Sequence, residues 1–180
     1  MDALETEPAR SKPRLIVVCG LGGAGKTTIA NALSGHLNIA CLHKDSIKTA
    51  IFDGLGLLTS KSFSVFEALI EEQLENGVDL IVEATFQFPD SADILQRWQS
   101  TYGLDLVCIV CSADSVERER RLKTRMRHEA HAEADTQQLA ALDVPVDYSR
   151  LPGRHISINT NVPLSSSVAD AFRQLLQLKS

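Results

Sequence analysis

Leu15-Ile16-Val17-Val18-Cys19-Gly20-Leu21-Gly22-Gly23-Ala24-Gly25-Lys26-Thr27 is the stretch that decides how this chain is read. Its first five residues form a short continuous apolar run, which predicts a strand buried on both faces. The glycine-rich segment that follows fits G-x-x-x-x-G-K-[ST] at every fixed position. Glycines let a chain turn its N–H groups inward around an anion without a side-chain clash. Beyond them, apolar residues recur at Ile29, Ala30, Leu33 and Leu37, which predicts a helix over 26–37 with a stop near Gly35. The N-terminus of that helix favours negative charge. Gly20, Gly22, Gly23, Ala24, Gly25, Lys26, Thr27 and Thr28 are therefore expected to cradle a nucleotide's phosphate chain. Lys26 would reach the β- and γ-phosphates, Thr27 would place its hydroxyl on Mg²⁺, and Thr28 would add a contact to the α-phosphate. A glycine turn that bound nothing would not require Lys-Thr after its last glycine.

Outward from this motif, strands alternate with helices. Strands are predicted over 38–42, 78–82, 104–110 and 155–158. Helices are predicted over 45–52, 63–75, from Asp90 or Ser91 to Tyr102, 115–128 and 167–178, with a short one at 136–142. Asp90 or Ser91, and Ser165, Ser166 or Ser167, are the expected caps of two of them. Five strands joined by helical crossovers call for a parallel sheet with helices on both faces, an α/β/α sandwich in three layers. Ligands in such sheets bind beyond the carboxyl ends of the strands. The chemistry is thus expected at Gly20–Thr28, Asp45, Glu83 and the region after Val110. Residues 1–13 read as a disordered lead-in ended by Pro13, and 14–180 as one domain.

A formal charge of −5 over 180 residues argues against a broad nucleic-acid-binding face, although basic residues gather near position 120. No apolar run is long enough for a bilayer, and the acidic, polar start does not resemble a signal peptide. Cys19, Cys41, Cys108 and Cys111 all fall in apolar, strand-like runs and read as buried small residues. Cys108 and Cys111 are three apart in a strand, so their thiols should face opposite sides and form no metal pair. Reduced thiols without an export signal point to the cytoplasm.

Asp45 follows the second strand. It is placed either to orient and deprotonate an attacking hydroxyl or to cap the next helix. Glu83 closes the third strand, where a carboxylate can hold Mg²⁺ directly or through water, touch the substrate, or else stand in solvent. Arg118, Arg120, Arg121, Lys123, Arg125 and Arg127 crowd one segment. Arginines there would neutralise charge on a transferred phosphoryl group, or simply form a solvated face paired with Glu117 and Glu119. His128 and His131 read as surface or substrate-side residues.

Four segments in this order resemble the small AAA-type P-loop kinases that include zeta toxin, chloramphenicol phosphotransferase and the kinase domain of polynucleotide kinase. They are Gly20–Thr28, Lys44-Asp45-Ser46-Ile47-Lys48, Glu83-Ala84-Thr85-Phe86 and Arg121-Leu122-Lys123-Thr124-Arg125. The resemblance implies a nucleotide-kinase-like P-loop NTPase fold, ATP and Mg²⁺. It also implies Asp45 as base or hydroxyl-orienting acid and a lid over about 118–135 carrying Arg121 and Arg125. Asn159–Pro163 resembles the family's adenine-side loop. Many relatives carry arginine three residues after the base, where this chain has Lys48. The acceptors of the group range from drugs and sugars to nucleic-acid ends, and membership does not choose among them. The expected activity is transfer of the ATP γ-phosphate to a hydroxyl of a small molecule or nucleotide-like substrate. The alternatives are a nucleotide-dependent switch with no phosphoryl acceptor and a zeta-toxin-like kinase of sugar nucleotides.

Overall fold

The computed structural model describes residues 12–58, 61–124, 128–131, 136–137, 140 and 144–178. Its elements run β1 (Arg14–Cys19), α1 (Lys26–Leu37), β2 (Cys41–His43), α2 (Lys44–Leu55), α3 (Ser62–Glu75) and β3 (Leu80–Glu83). They continue with α4 (Ser91–Tyr102), β4 (Asp105–Ser112), α5 (Ser115–Thr124), a 3₁₀ turn (Glu129–His131), β5 (Arg154–Asn159) and α6 (Leu164–Gln177). All strand pairs are parallel, in the order β2-β3-β1-β4-β5. Most of the predicted lead-in and part of the expected lid (125–127 and 132–135) lie outside the described residues, as does most of the short helix expected at 136–142.

Burial on both faces explains the unbroken apolar strands. On one face Phe66, Ile70 and Leu74 of α3, with Leu95 and Trp98 of α4, pack on Leu15, Val17, Leu80, Val82, Leu106 and Cys108. On the other, Ile29, Ala30 and Leu33 of α1, with Ala171 and Leu175 of α6, cover Ile16, Val18, Ile81, Val107, Ile109, Cys111, Ile156 and Ile158. Cys108 and Cys111 thus face opposite layers, as their spacing requires. Burial pushes both thiols up to about 12. Cys41 departs from expectation, because it sits only half-buried at the edge strand.

Several boundaries differ from the sequence reading, each for a local reason. Helix α1 runs through Gly35 and ends where Asn38 takes the left-handed conformation at φ 55°, its N–H donating to the Ser34 carbonyl. Asparagine is the residue other than glycine that sometimes takes this cap, so the helix runs on to it and β2 starts later than predicted. Helix α2 begins at Lys44 with His43 in the capping position, so Asp45 lies in its first turn and does not cap it. That helix also runs past Asp53-Gly54 and ends at Gly56. Helix α6 begins three residues early, after Pro163. The Ser167 hydroxyl is buried and donates to the Asn159 carbonyl, and no serine caps the helix. Asp90 occupies the capping position of α4 without a side-chain cap bond.

Candidate active site

Sheet register assembles the site. Val18 of β1, Glu83 of β3 and His43 of β2 lie side by side at the carboxyl ends of the three strands. The glycine loop leaves β1 at the same end and runs into α1. Gly23 and Gly25 sit at φ 77° and 78°, a left-handed conformation that other residues adopt at a cost. Gly25 takes the position before α1 with no side-chain cap, which leaves the first-turn N–H groups of that helix without an intrahelical partner.

Each carbonyl from Leu21 to Gly25 has a donor. Leu21 O accepts from Ala24 N at 3.2 Å and Lys26 Nζ at 3.1 Å. Gly22 O accepts from Arg118 Nε at 2.9 Å and Gly23 O from Arg121 Nη1 at 3.1 Å. Ala24 O accepts from Thr160 Oγ1 at 3.1 Å, and Gly25 O from Ile29 N at 3.2 Å. These bonds occupy the loop's oxygens from within the protein. Such an arch can present its N–H groups to an anion.

Glu83 is not in solvent. It is 5% exposed, and its Oε2 lies 3.3 Å from Thr27 Oγ1 and 3.1 Å from His43 Nδ1. Lys26 Nζ stands 3.8 Å from its other oxygen. The far nitrogen of His43, Nε2, lies 2.9 Å from Asn31 Oδ1 of α1. Hydrogen bonds with the Cys41 sulfur and then with the Glu83 carboxylate push His43 up to about 10, against the effect of burial. A protonated ring donates from both nitrogens, which matches an acceptor on each side.

Asp45 is about half exposed and pairs with Lys44 at 3.5 Å and with His131 Nδ1 at 3.9 Å. His131 is itself buried, with its Nε2 2.9 Å from Thr49 Oγ1 one turn further along α2. His128 packs edge-on against Phe52 and pairs with Asp53 at 2.9 Å. The two histidines therefore lie against α2 on the side of Asp45, and His131 is not a surface residue.

Helix α5 is docked on the glycine loop. Besides Gly23 O, Arg121 donates to Thr160 Oγ1 at 3.0 Å, Thr160 O at 2.6 Å and Glu117 Oε1 at 2.7 Å. It also helps line a cleft of about 220 Å³ with Gly25, Thr28, Thr160, Val162 and Leu164. Arg120 and Lys123 pair with Glu117 and Glu119, the solvated-face arrangement. Arg125 lies outside the described residues.

The structure thus joins Lys26, Thr27 and Glu83 in one contact set, places Arg121 behind the loop, and keeps Asp45 on α2 beside His131. Sequence reasoning missed His43, Asn31, the bonds of Thr160 to Ala24 O and Arg121, and the burial of Arg118 and His131. His43 did carry a signal, since it ends an apolar strand as Glu83 does.

A glycine loop ending in Lys-Thr between β1 and α1, under a parallel sheet with β3 beside β1, defines a P-loop NTPase of the kinase type. The chain belongs to the AAA domain family of P-loop kinases, whose family model matches residues 15–144. No curated protein matches the chain. Among solved structures, a Chloroflexus aurantiacus j-10-fl protein provisionally assigned as a kinase is 24% identical, with a TM-score of 0.73 over 91% of this chain and 98% of that one. A sugar kinase from Janibacter sp. HTCC2649 is 18% identical, with a TM-score of 0.63 over 91% and 94%. A gluconokinase from Sinorhizobium meliloti 1021 is 19% identical, with a TM-score of 0.62 over 94% of each chain. At these identities the likeness is one of fold. Among the described residues, no helix is long and apolar enough to cross a membrane.

Proposed function

We propose that this protein is a cytoplasmic, ATP-dependent phosphotransferase that moves the γ-phosphate of ATP to a hydroxyl of a small molecule or nucleotide-like substrate. The observation that carries this reading is the convergence of Lys26, Thr27 and buried Glu83 at the mouth of a loop whose carbonyls from Leu21 to Gly25 are occupied from within the protein. Lys26 binds the β- and γ-phosphates and offsets the charge that gathers there during transfer. The Thr27 hydroxyl and the Glu83 carboxylate are oxygen donors 3.3 Å apart, a set suited to Mg²⁺ directly or through water. When bound, that ion neutralises phosphate charge and fixes the orientation of the phosphate chain. His43, anchored on Asn31, holds the Glu83 carboxylate in place. Thr28 sits in the first turn of α1 for the α-phosphate, and the cleft between Arg121 and residues 160–164 suits the base. Arg121, held by Gly23 O and Thr160, supplies positive charge beside the loop from the cleft, and Arg125 is the second arginine proposed to offset charge on the transferred phosphoryl group.

Asp45 receives and orients the acceptor hydroxyl and takes its proton as the oxygen attacks the γ-phosphorus. Phe63 and Phe86 meet edge-on, with ring centroids 6.3 Å apart, and Phe86 holds an uncommon φ of 45° three residues after Glu83. Such strain in a bulky residue is kept where surrounding structure fixes a functional segment. Polyhydroxy compounds, phosphorylated or not, form the first acceptor panel, since a sugar kinase and a gluconokinase share the fold.

The test is a screen of hydroxyl compounds with γ-labelled ATP, run on the native chain and on Asp45→Asn. A labelled product made by the native chain and reduced at least about a hundredfold in the variant is expected, with ATP affinity kept. Equal product from both would remove Asp45 from the mechanism. A nucleotide-triggered change of state that survives Asp45→Asn, with no acceptor labelled, would favour the switch.

A further inference from the structure

Turning a peptide's N–H toward an anion turns its C=O the other way. A phosphate loop therefore needs donors behind it as much as glycines within it, and a buried carbonyl without a partner works against the arch. In this chain the donors behind residues 21–25 come from the loop and α1 themselves, from α5 and from Thr160. One of them differs from the others in its surroundings. Arg118 is 6% exposed, although an arginine is seldom fully buried without a task. Its Nε bond to Gly22 O runs between two buried residues. Its backbone is pressed on the next loop residue as well, since a Cβ on Gly23 would lie 2.7 Å from Arg118 O and 3.0 Å from its Cα. Asp114 holds the start of the helix by accepting from Glu117 N at 2.8 Å, and it is tied to the 160–161 segment through Asn161 Oδ1.

We propose that Arg118 is the positioning residue of the phosphate loop. Its buried guanidinium pins the Gly22 carbonyl outward and so holds the loop's N–H groups turned toward the phosphates before nucleotide arrives. The inference rests on the nucleotide-binding reading above and adds to it. It gives one helix two jobs: Arg121 lines the cleft, while Arg118 never meets the ligand and acts through the backbone. Preorganisation of this kind lowers the cost of binding rather than adding a contact. Its effect should therefore follow the phosphate chain and spare the base.

The experiment compares the native chain with Arg118→Met, Arg118→Lys and Lys26→Ala. Calorimetry gives the affinities for Mg·ADP and for adenosine, and hydrogen exchange of the nucleotide-free protein follows the peptide containing Gly22–Gly25. Arg118→Met should weaken Mg·ADP about ten- to a hundredfold, the worth of a charge-assisted hydrogen bond. Adenosine should change less than about twofold, and loop exchange should quicken while the amides of β1 stay protected. Arg118→Lys keeps the charge and a donor on a similar reach without the fork, and should fall between the two. It decides the matter if the methionine variant does not fold. Mg·ADP affinity unchanged in Arg118→Lys and in any folded Arg118→Met, or an equal loss for ADP and adenosine, would overturn the proposal. Lys26→Ala separates the two failures. If it weakens Mg·ADP at least about tenfold while the Arg118 variants bind normally, only this inference falls. If it too binds normally, the nucleotide reading falls with it.

Discussion

Replacing Gly23 by alanine, with Gly25→Ala beside it, tests how α5 and the glycine loop fit together. Both glycines hold left-handed φ values, 77° and 78°, so both substitutions incur the same backbone strain of about 1–2 kcal/mol. Alanine recovers part of this, about 0.4–1 kcal/mol, by restricting the unfolded chain. Their surroundings then separate them. A Cβ on Gly25 would meet the side-chain atoms of Thr160 at 3.3 Å, a contact relieved by a small movement. A Cβ on Gly23 would lie 2.7 Å from Arg118 O, 3.0 Å from its Cα and 3.2 Å from its carbonyl carbon, all backbone of α5. Relief there means moving a helix, an overpacking cost of about 1–3 kcal/mol. Gly25→Ala should therefore lose about 1 kcal/mol and Gly23→Ala about 2–4 kcal/mol. Urea denaturation followed by circular dichroism reads both, with the slopes checked for two-state behaviour. Moving α5 also pulls Arg118 and Arg121 from their carbonyls, so Gly23→Ala should lose Mg·ADP affinity. Equal stability losses at the two positions, or a Gly23→Ala chain as stable as the native one, would refute the docking of α5 on the loop.

Two further outcomes follow from the sheet. Burial pushes Asp105 up, but hydrogen bonds from Arg14 and Arg154 outweigh it and hold the carboxyl below its usual value. A lowered folded value means stability that is fully present above about pH 4 and lost as pH falls through it. Native protein should lose more stability than Asp105→Asn between about pH 4 and pH 2, by about 1 kcal/mol given the partial exposure of the partners; parallel acid curves would contradict the assignment. Burial pushes Cys108 and Cys111 up to about 12 and raises Cys19 as well. A thiol reagent at about pH 8 should modify half-buried Cys41 first and reach the other three only on unfolding. Rapid labelling of Cys108 or Cys111 in folded protein would show that the apolar layers are not closed.

What the sequence made legible follows from how local each signal is. The first strand, the glycine loop and α1 could be read residue by residue, because strand length, glycine spacing and helical periodicity are all properties of one short stretch. The sheet with helices on both faces followed from the alternation of elements. Glu83 could be picked out because it ends a buried strand, but whether it faced solvent could not. His43 escaped notice because its role depends on the register of β2 against β3, which brings two residues 40 positions apart into contact. Arg118 stood in view among six basic residues. Only the packing of α5 on the loop separates it, buried, from Arg120 and Lys123 in solvent. The start of β2 and the start of α6 depart from the sequence pattern because Asn38 and Pro163 do the work expected of glycine and serine.

On the proposed function, the arch between β1 and α1 takes the phosphate chain of a nucleotide with Lys26 at its mouth. Calorimetric titration of Mg·ATP into the native chain and into Lys26→Ala tests it most directly. The native chain should bind one nucleotide, and the variant should bind at least about tenfold more weakly, since a charge-assisted interaction between a phosphate and a partly buried ammonium is removed. Equal affinity in the two chains, or no binding by the native one, would contradict the account.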